Sequence, residues 1–380
     1  MKKYFFFLFI AVLFVNYNRA QVISSNFVFQ GNTRNYIVYV PASYATIGSF
    51  PLLVVFHGNG GNQNGIMGMT GFNPVADTAN FIVAYPTALP YNSVNTWNIG
   101  GINPGVDDVG FTSALIDTLK VHYPKINLCN VYATGFSMGS GMTQQLGCDL
   151  SNRIAAIACV AGGMPISISG TCTPTRAISV LNMKGTTDSY NGNTIELGAQ
   201  QTIDYWNQLN NCNLTAAQTT LPDLVNDGYT VDRFDYNPCL AGTENVLYRV
   251  NNGPHAWIGA GANNGLNDIN TSIEVWNFLK KYSNPAVGGC LTPVIEARPS
   301  YFSFSLYPNP AAGVTTIEIK NMPPANSRAK IYDLTGNEIM NIEIKSKKTQ
   351  LETEKLAPGI YFIKLFSDTE LLSAKKIICL

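Results

Sequence analysis

The sequence predicts an α/β chain: a doubly wound, mostly parallel sheet with helices, followed by a small all-β sandwich. Three observations carry this. Apolar runs without alternation recur at residues 51–56, 81–85 and 154–160, as strands buried on both faces of a parallel sheet require. Helical patterns separate these runs, which is the rhythm of βαβ units. Beyond residue 300 that rhythm gives way to short alternating strands divided by glycine and proline turns.

Composition sets the outer bounds. The 380 residues suffice for one large domain and a smaller one, and 46% hydrophobic against 13% charged residues indicates a substantial core. A formal net charge of zero gives no ground for a nucleic acid or an anionic membrane as partner. Residues 1–20 place Lys2 and Lys3 before an apolar run at 4–15, then polar residues and Ala20. This reads as a secretory signal peptide cleaved near Ala20–Gln21, too short in its apolar part to span a bilayer. No later stretch is apolar enough to span one. Export makes disulfides possible for the eight cysteines, and the absence of any C-x-x-C pair argues against zinc or redox chemistry. No metal and no cofactor are implied.

Taken in order, residues 36–40 read as a strand stopped by Pro41. The strand at 51–56 ends in His57-Gly58-Asn59-Gly60-Gly61, a small-residue loop whose backbone N–H groups can face a ligand oxygen. The strand at 81–85 stops at Pro86, and its outgoing loop carries Trp97 before a helix that runs through Lys120. Asp107 or Asp108 caps that helix. Residues 131–134 form the strand that runs into Gly135-Phe136-Ser137-Met138-Gly139, and a helix starts in the following residues. Strands at 177–183 and 245–250 and helices at 196–209 and 269–282 complete the sheet. Residues 284–300, with Pro285, Pro293 and Pro299, form a linker. The last 80 residues hold 10 basic and 8 acidic side chains, denser charge than before, with strands at 315–319, 329–332, 339–344 and 360–366.

The organising motif is G-x-S-x-G between strand and helix, the context of a nucleophile elbow. A serine on so sharp a turn leaves no room for side chains two residues either side, and the helix aims its N-terminal N–H groups at it. Ser137 is therefore the candidate nucleophile. It needs a base, and imidazole suits neutral pH. Of three histidines, His57 lies in the loop after 51–56, where it shapes the loop, and His122 ends a helix ahead of the serine. His255 follows the last strand and satisfies the α/β-hydrolase order of serine, acid, histidine. Asp188 alone among the intervening acids follows a buried strand through a glycine turn, so it is the candidate acid. The N–H groups of the Asn59 region and of Met138 are the candidate oxyanion donors. His57, Trp97 and Trp257 are the candidate substrate-contacting side chains.

These residues carry a family resemblance. His57-Gly58-Asn-Gly-Gly61, Asp107-Asp-Val-Gly-Phe111, Val131 through Gly139, Leu146-Gly-Cys148, Gly185-Thr-Thr-Asp188 and Gly253-Pro-His-Ala-Trp257 occur in that order. Residues 25–283 thereby resemble the secreted polyhydroxybutyrate depolymerases and feruloyl esterases. The resemblance implies an α/β-hydrolase domain over 21–283, a serine carboxylesterase activity, and the triad Ser137, Asp188 and His255. Its substrate would be an acyl ester on plant polysaccharide or a polyester oligomer. Lys184 stands where that family has a histidine, Pro254 where it has a glycine, and Ala256 where it has a threonine. Two other readings of the same fold are an inactive surface-binding protein and a serine peptidase.

The tail, residues 301–380, carries Leu306-Tyr-Pro-Asn-Pro310, Ile331-Tyr-Asp-Leu-Thr-Gly336, Leu356-Ala-Pro-Gly-Ile-Tyr361 and Lys375-Lys-Ile-Ile. It resembles the C-terminal sorting domain of type IX secretion. That implies the type IX machinery as partner and an extracellular or cell-surface destination. For the cysteines, Cys129 at the start of the elbow strand and Cys148 at the end of the elbow helix are expected to pair. Cys212 and Cys239, flanking a polar insertion, form the second expected pair, and Cys159 in an apolar strand is expected to be a buried free thiol, with Cys172 as the alternative partner for it.

Overall fold

The computed structural model describes residues 19–259, 268–288, 290, 304–319, 327–333, 337–367 and 370–379. The expected signal peptide lies almost wholly outside the described residues. Among those described, no helix is long and apolar enough to cross a membrane. The chain divides into two compact units, Met1–Pro293 and Val294–Leu380.

The first unit is built on one ten-stranded sheet. Its strands are β1 (Gln21–Phe29), β2 (Asn32–Val40), β3 (Phe50–Phe56), β4 (Ile82–Pro86), β5 (Ile126–Phe136), β6 (Ala156–Val160), β7 (Ser179–Gly185), β8 (Ala217–Thr220), β9 (Thr230–Tyr236) and β10 (Asn245–Asn251). The order across the sheet is β1-β2-β4-β3-β5-β6-β7-β10-β9-β8. The six central strands, β4 to β10, pair in parallel, and the strands on both flanks pair antiparallel. This is the doubly wound α/β-hydrolase sheet, with antiparallel additions at each edge.

Helices α1 (Gln63–Thr70), α2 (Phe72–Ala79), α3 (Asp108–His122), α4 (Met138–Asp149), α5 (Ala199–Leu209) and α6 (Thr271–Leu279) cover the sheet. Alternate residues of the central strands feed two cores. Leu52, Val54, Val131 and Ala133 pack with Leu115 of α3, Leu146 of α4 and Trp206 of α5. Leu53, Val55, Tyr132 and Ala158 pack with Ile66 of α1, Phe72 of α2 and Trp276 of α6. Burial on both faces is why these strands read as continuous apolar runs.

Three strands of this sheet escaped sequence reading, for a physical reason. Strand β1 alternates half-buried and exposed positions and includes two serines and an asparagine. Strands β8 and β9 lie in the stretch that reads as a polar insertion, and β8 is exposed throughout. Strands β1 and β8 are the sheet edges and β9 lies next to one, where a strand buries one face at most, so their sequences need carry no apolar run.

The disulfides depart from expectation. Cys129 pairs with Cys290 and Cys148 with Cys172, at Cα separations of 5.5 and 5.0 Å, so the expected Cys129–Cys148 bridge is replaced by two others. Strand β5 begins at Ile126, before Cys129, and its early residues meet the chain leaving α6. There the Asn284 N–H donates to the Cys129 carbonyl at 2.8 Å, and the Tyr132 hydroxyl to the Tyr282 carbonyl at 2.7 Å. Cys148 instead lies in the α3–α4–α5 core beside Cys172. Cys212 and Cys239 are bridged, and Cys159 is a buried free thiol whose ionisation burial pushes up. Asn284 is fully buried, so the early part of the proline-rich stretch is held to the first unit rather than serving as linker.

A truncation experiment follows from this anchor. A chain ending at Pro293 keeps the Cys129–Cys290 loop closed and should unfold at the same midpoint as the first unit within the full chain. One ending at Tyr282 loses Cys290 and should be less stable by about 2–5 kcal/mol. Equal calorimetric midpoints for the two truncations would show that the bridge contributes nothing.

In the second unit, β11 (Phe304–Tyr307), β12 (Val314–Ile319) and β15 (Lys348–Glu352) form one sheet in the order β11-β12-β15. Strands β13 (Ser327–Tyr332), β14 (Glu338–Glu343), β16 (Gly359–Ser367) and β17 (Glu370–Cys379) form the other, in the order β14-β13-β16-β17. These strands pair antiparallel, and Ala311 adds an isolated parallel bridge to Cys379. Ile317, Leu351, Ile331, Ile363 and Ile377 meet in one core drawn from both sheets.

Candidate active site

Strand β5 delivers Ser137 to the carboxyl edge of the sheet. Ser137 has φ 56° and ψ −121°, a left-handed backbone that disfavours a side chain and costs of order 1–3 kcal/mol. The surroundings hold it there: its N–H donates to the Val160 carbonyl at 3.0 Å, and α4 begins at the next residue. The two motif glycines have a steric cause. A Cβ on Gly135 would overlap the Gly139 carbonyl oxygen, and one on Gly139 would overlap the Phe56 carbonyl oxygen. Met138 opens α4, so its N–H is a first-turn donor with no intrahelical acceptor.

The acid and the base come from neighbouring parallel strands. Asp188 leaves β7 through a turn, and His255 leaves β10 through another. The two loops are stitched together. The Thr187 N–H donates to the Gly253 carbonyl at 3.0 Å, its hydroxyl to the same oxygen at 2.8 Å, and the Thr186 N–H to Val250 at 2.9 Å. Asp188 Oδ2 lies 2.9 Å from His255 Nδ1, while Asp188 Oδ1 accepts the Tyr190 N–H at 2.8 Å. With Nδ1 donating to the carboxylate, Nε2 is the free acceptor of the ring. Phe136 and Tyr190 flank the imidazole, each with its centroid 5.0 Å away.

The Asp188 carboxyl sits below the ordinary carboxylate range. Burial acts to raise it, but the His255 and Tyr190 hydrogen bonds and the charges of His255 and Lys184 outweigh burial. Because the folded value is depressed, the stability this group contributes is present above the ordinary carboxylate range. It is lost as pH falls through the lowered value. Asp188 is therefore ionised at neutral pH, as an orienting acid must be.

Ser137, Met138, His255 and Asn59 all line one pocket of about 270 Å³, together with Ile99, Ile102, Pro165, Tyr190, Ile195 and Glu196. The structure thus gathers the candidate nucleophile, base and both oxyanion residues on one cavity, with Asp188 behind the base. Among the described residues no three His, Cys, Asp or Glu side chains converge as metal ligands would.

The three substrate-contact candidates are corrected. His57 is buried, with Nδ1 2.7 Å from the Gly58 carbonyl and Nε2 accepting the Ala88 N–H at 3.0 Å. Burial lowers its pKa to about 4 against the opposing Gly58 bond, so it is a neutral strut that shapes the Asn59 loop. Trp97 is fully buried and donates Nε1–H to the His57 carbonyl at 2.9 Å. Trp257 is 1% exposed and donates Nε1–H to Ser272 Oγ at 3.0 Å. Each indole finds an internal acceptor for its one donor, so each can be buried whole instead of facing the cavity. The aromatic side chain on the pocket is Tyr190, which sequence reading passed over.

A second feature was also missed. Asp107 caps α3, accepting the Gly110 N–H at 2.7 Å, whereas Asp108 is buried and paired with Arg34 at 2.5 Å. The other Asp108 oxygen accepts the Asn98 N–H at 2.7 Å. The pair thereby fixes the loop that carries Ile99 and Ile102 to the pocket. The neighbouring Asp-Asp dipeptide was the available signal, since one helix needs one cap.

Comparison with known proteins places the chain. Residues 305–379 match the secretion system C-terminal sorting domain model. The chain is similar to Feruloyl esterase B of Piromyces equi, 28% identical over 66% of this chain and 46% of that protein. It is similar to the bifunctional acetylxylan esterase/xylanase XynS20E of Neocallimastix patriciarum, 26% identical over 67% of this chain and 34% of that protein. It is also similar to Feruloyl esterase D of Neurospora crassa, 23% identical over 69% of this chain and 86% of that protein. The chain spans about half or less of the length of the first two. It is a protein of α/β-hydrolase fold with feruloyl and acetylxylan esterases among its relatives, and its C-terminal sorting domain addresses it to the cell exterior or surface.

Proposed function

We propose that the chain is a secreted serine carboxylic-ester hydrolase, with residues 21–283 as its catalytic domain and the tail as its address to the type IX machinery. One observation carries the reading: a strained Ser137 lines the same pocket as His255, whose Nδ1 is held by the buried Asp188 carboxylate. Ser137 Oγ attacks the ester carbonyl as His255 Nε2 takes its proton. The Met138 and Asn59 N–H groups hold the negative charge that develops on the carbonyl oxygen. His255 returns the proton to the departing alcohol, leaving an acyl-serine. Water, activated by the same imidazole, then releases the acid. Throughout, Asp188 stabilises the imidazolium and fixes its tautomer.

The substrate class follows from the apolar pocket and from the named activities of the relatives. Feruloyl or acetyl esters on plant polysaccharide suit it best, with hydroxybutyrate oligomers as the second class. A fluorophosphonate probe should label Ser137 in the wild-type protein and not in Ser137→Ala. An unlabelled Ser137 would leave a binding protein of hydrolase fold. Methyl ferulate, acetylated xylan and hydroxybutyrate oligomers then rank the substrates. No turnover on any of them by a labelled enzyme would remove the carbohydrate-ester and polyester assignments.

A further inference from the structure

The loop between β7 and α5 carries a second carboxylate with no part in the proton transfers. Glu196 lines the pocket of Ser137 and His255. Its Oε1 is paired with Lys184 Nζ, and the Lys184 side chain is wholly buried while that of Glu196 is 13% exposed. Lys184 also donates to the Tyr190 carbonyl at 3.0 Å, so one ammonium group braces both residues to the wall. Glu196 Oε2 has no hydrogen-bond partner among the described residues, and it is not one of the enclosed polar atoms left unsatisfied. It is therefore open to a ligand.

The chemistry of that position is selective. The pocket that Glu196 lines is mostly apolar, with Ile99, Ile102, Met138, Pro165 and Ile195 on its wall beside the polar Asn59 and Ser167. A lysine buried behind a carboxylate balances its charge and fixes its direction. A charged acceptor in apolar surroundings rewards a hydroxyl donor and penalises a group that leaves it unpaired or repels it.

We propose that Glu196 is a specificity-determining residue: its free carboxylate oxygen accepts a hydrogen bond from a hydroxyl of the bound ester, and it repels esters that place an anion there. The inference rests on the esterase reading above. Such a hydroxyl has two sources, a phenol on the acyl group or a sugar on the alcohol side.

Measuring kcat/KM on the full mature chain separates them. The acyl arm uses methyl esters of 4-hydroxy-, 4-methoxy- and 4-carboxycinnamic acids. The alcohol arm compares methyl cinnamate with a cinnamoyl ester of xylose. One arm should show a ten- to hundredfold preference for the hydroxylated ester, of order one hydrogen bond to a charged acceptor. Where the acyl arm carries the preference, the 4-carboxy ester should be its poorest substrate. In Lys184→Met/Glu196→Leu, where apolar side chains of similar volume replace the pair, the preference should fall to within about threefold. In Glu196→Gln the hydroxyl preference should fall several-fold, because a neutral acceptor replaces a charged one, and where the acyl arm carries the preference the 4-carboxy ester should gain at least about tenfold relative to the 4-methoxy ester.

A wild-type protein indifferent to the hydroxyl in both arms overturns the proposal, as does a preference that survives in the folded double variant. Should that variant fail to fold, Glu196→Gln decides in whichever arm carries the preference, and an unchanged hydroxyl preference there overturns the proposal. Turnover without hydroxyl preference defeats this inference alone. Absence of turnover and of probe labelling at Ser137 defeats the esterase reading itself.

Discussion

Ser137→Ala, His255→Ala and the double variant should each lose on the order of 10⁴–10⁶ in ester turnover, and the double variant no more than the worse single one. The non-additivity is the informative part. A serine hydroxyl attacks only when a base takes its proton, and the imidazole has nothing to activate once the hydroxyl is gone. Either removal therefore abolishes the same step. Asp188→Asn should cost less than the most damaging of these, on the order of 10⁴. It leaves His255 in place but exchanges an ionised acceptor at 2.9 Å for a neutral amide. Thermal unfolding of each variant separates lost chemistry from lost structure. Near-normal turnover by a folded His255→Ala protein would end the assignment of His255 as base. Losses that multiply in the double variant would mean that the two residues act on different steps.

How much of this was legible in the sequence depends on what each residue must satisfy. The central strands were legible because burial on both faces forces an unbroken apolar run, as in β3 and β6. Strand β1 was not, because an edge position lets Ser24, Ser25 and Asn26 occupy it without penalty. Ser137, Asp188 and His255 were nominated by chain order and by their places after strands. The structure puts Asp188 and His255 in contact and Ser137 on the same cavity as the histidine. Orientation is what sequence position withholds. Trp97 and Trp257 sit on loops at the right edge of the sheet, yet both indoles turn inward to internal acceptors. Tyr190, two residues beyond the acid, turns outward because its backbone N–H is held by Asp188 and its carbonyl by Lys184. The Cys129–Cys290 bridge spans 161 residues, and no local pattern announces a partner that distant.

Gly139→Ala should destabilise the first unit by about 3 kcal/mol or more and abolish probe labelling of Ser137. The added methyl would overlap the Phe56 carbonyl oxygen, with the His57 carbonyl close behind. Neither obstacle is a flexible side chain. Both belong to the backbone at the end of β3, which pairs with β5 from Leu52 to Phe56 and cannot retreat without breaking that ladder. The alternative is for α4 to shift away, which would carry Met138 and its N–H away from the pocket and release the strained Ser137. At roughly 2–4 °C per kcal/mol for a unit of this size, the thermal midpoint should fall by roughly 6–12 °C. Gly68→Ala supplies the control with identical chemistry. Gly68 lies within α1, and an added methyl there would meet nothing within 4 Å. Alanine at that position should stabilise by about 0.4–1 kcal/mol through helix propensity and a less flexible unfolded chain. If Gly139→Ala matched the control in midpoint and still labelled at Ser137, the elbow would have slack, and steric necessity would no longer explain the glycines of the motif.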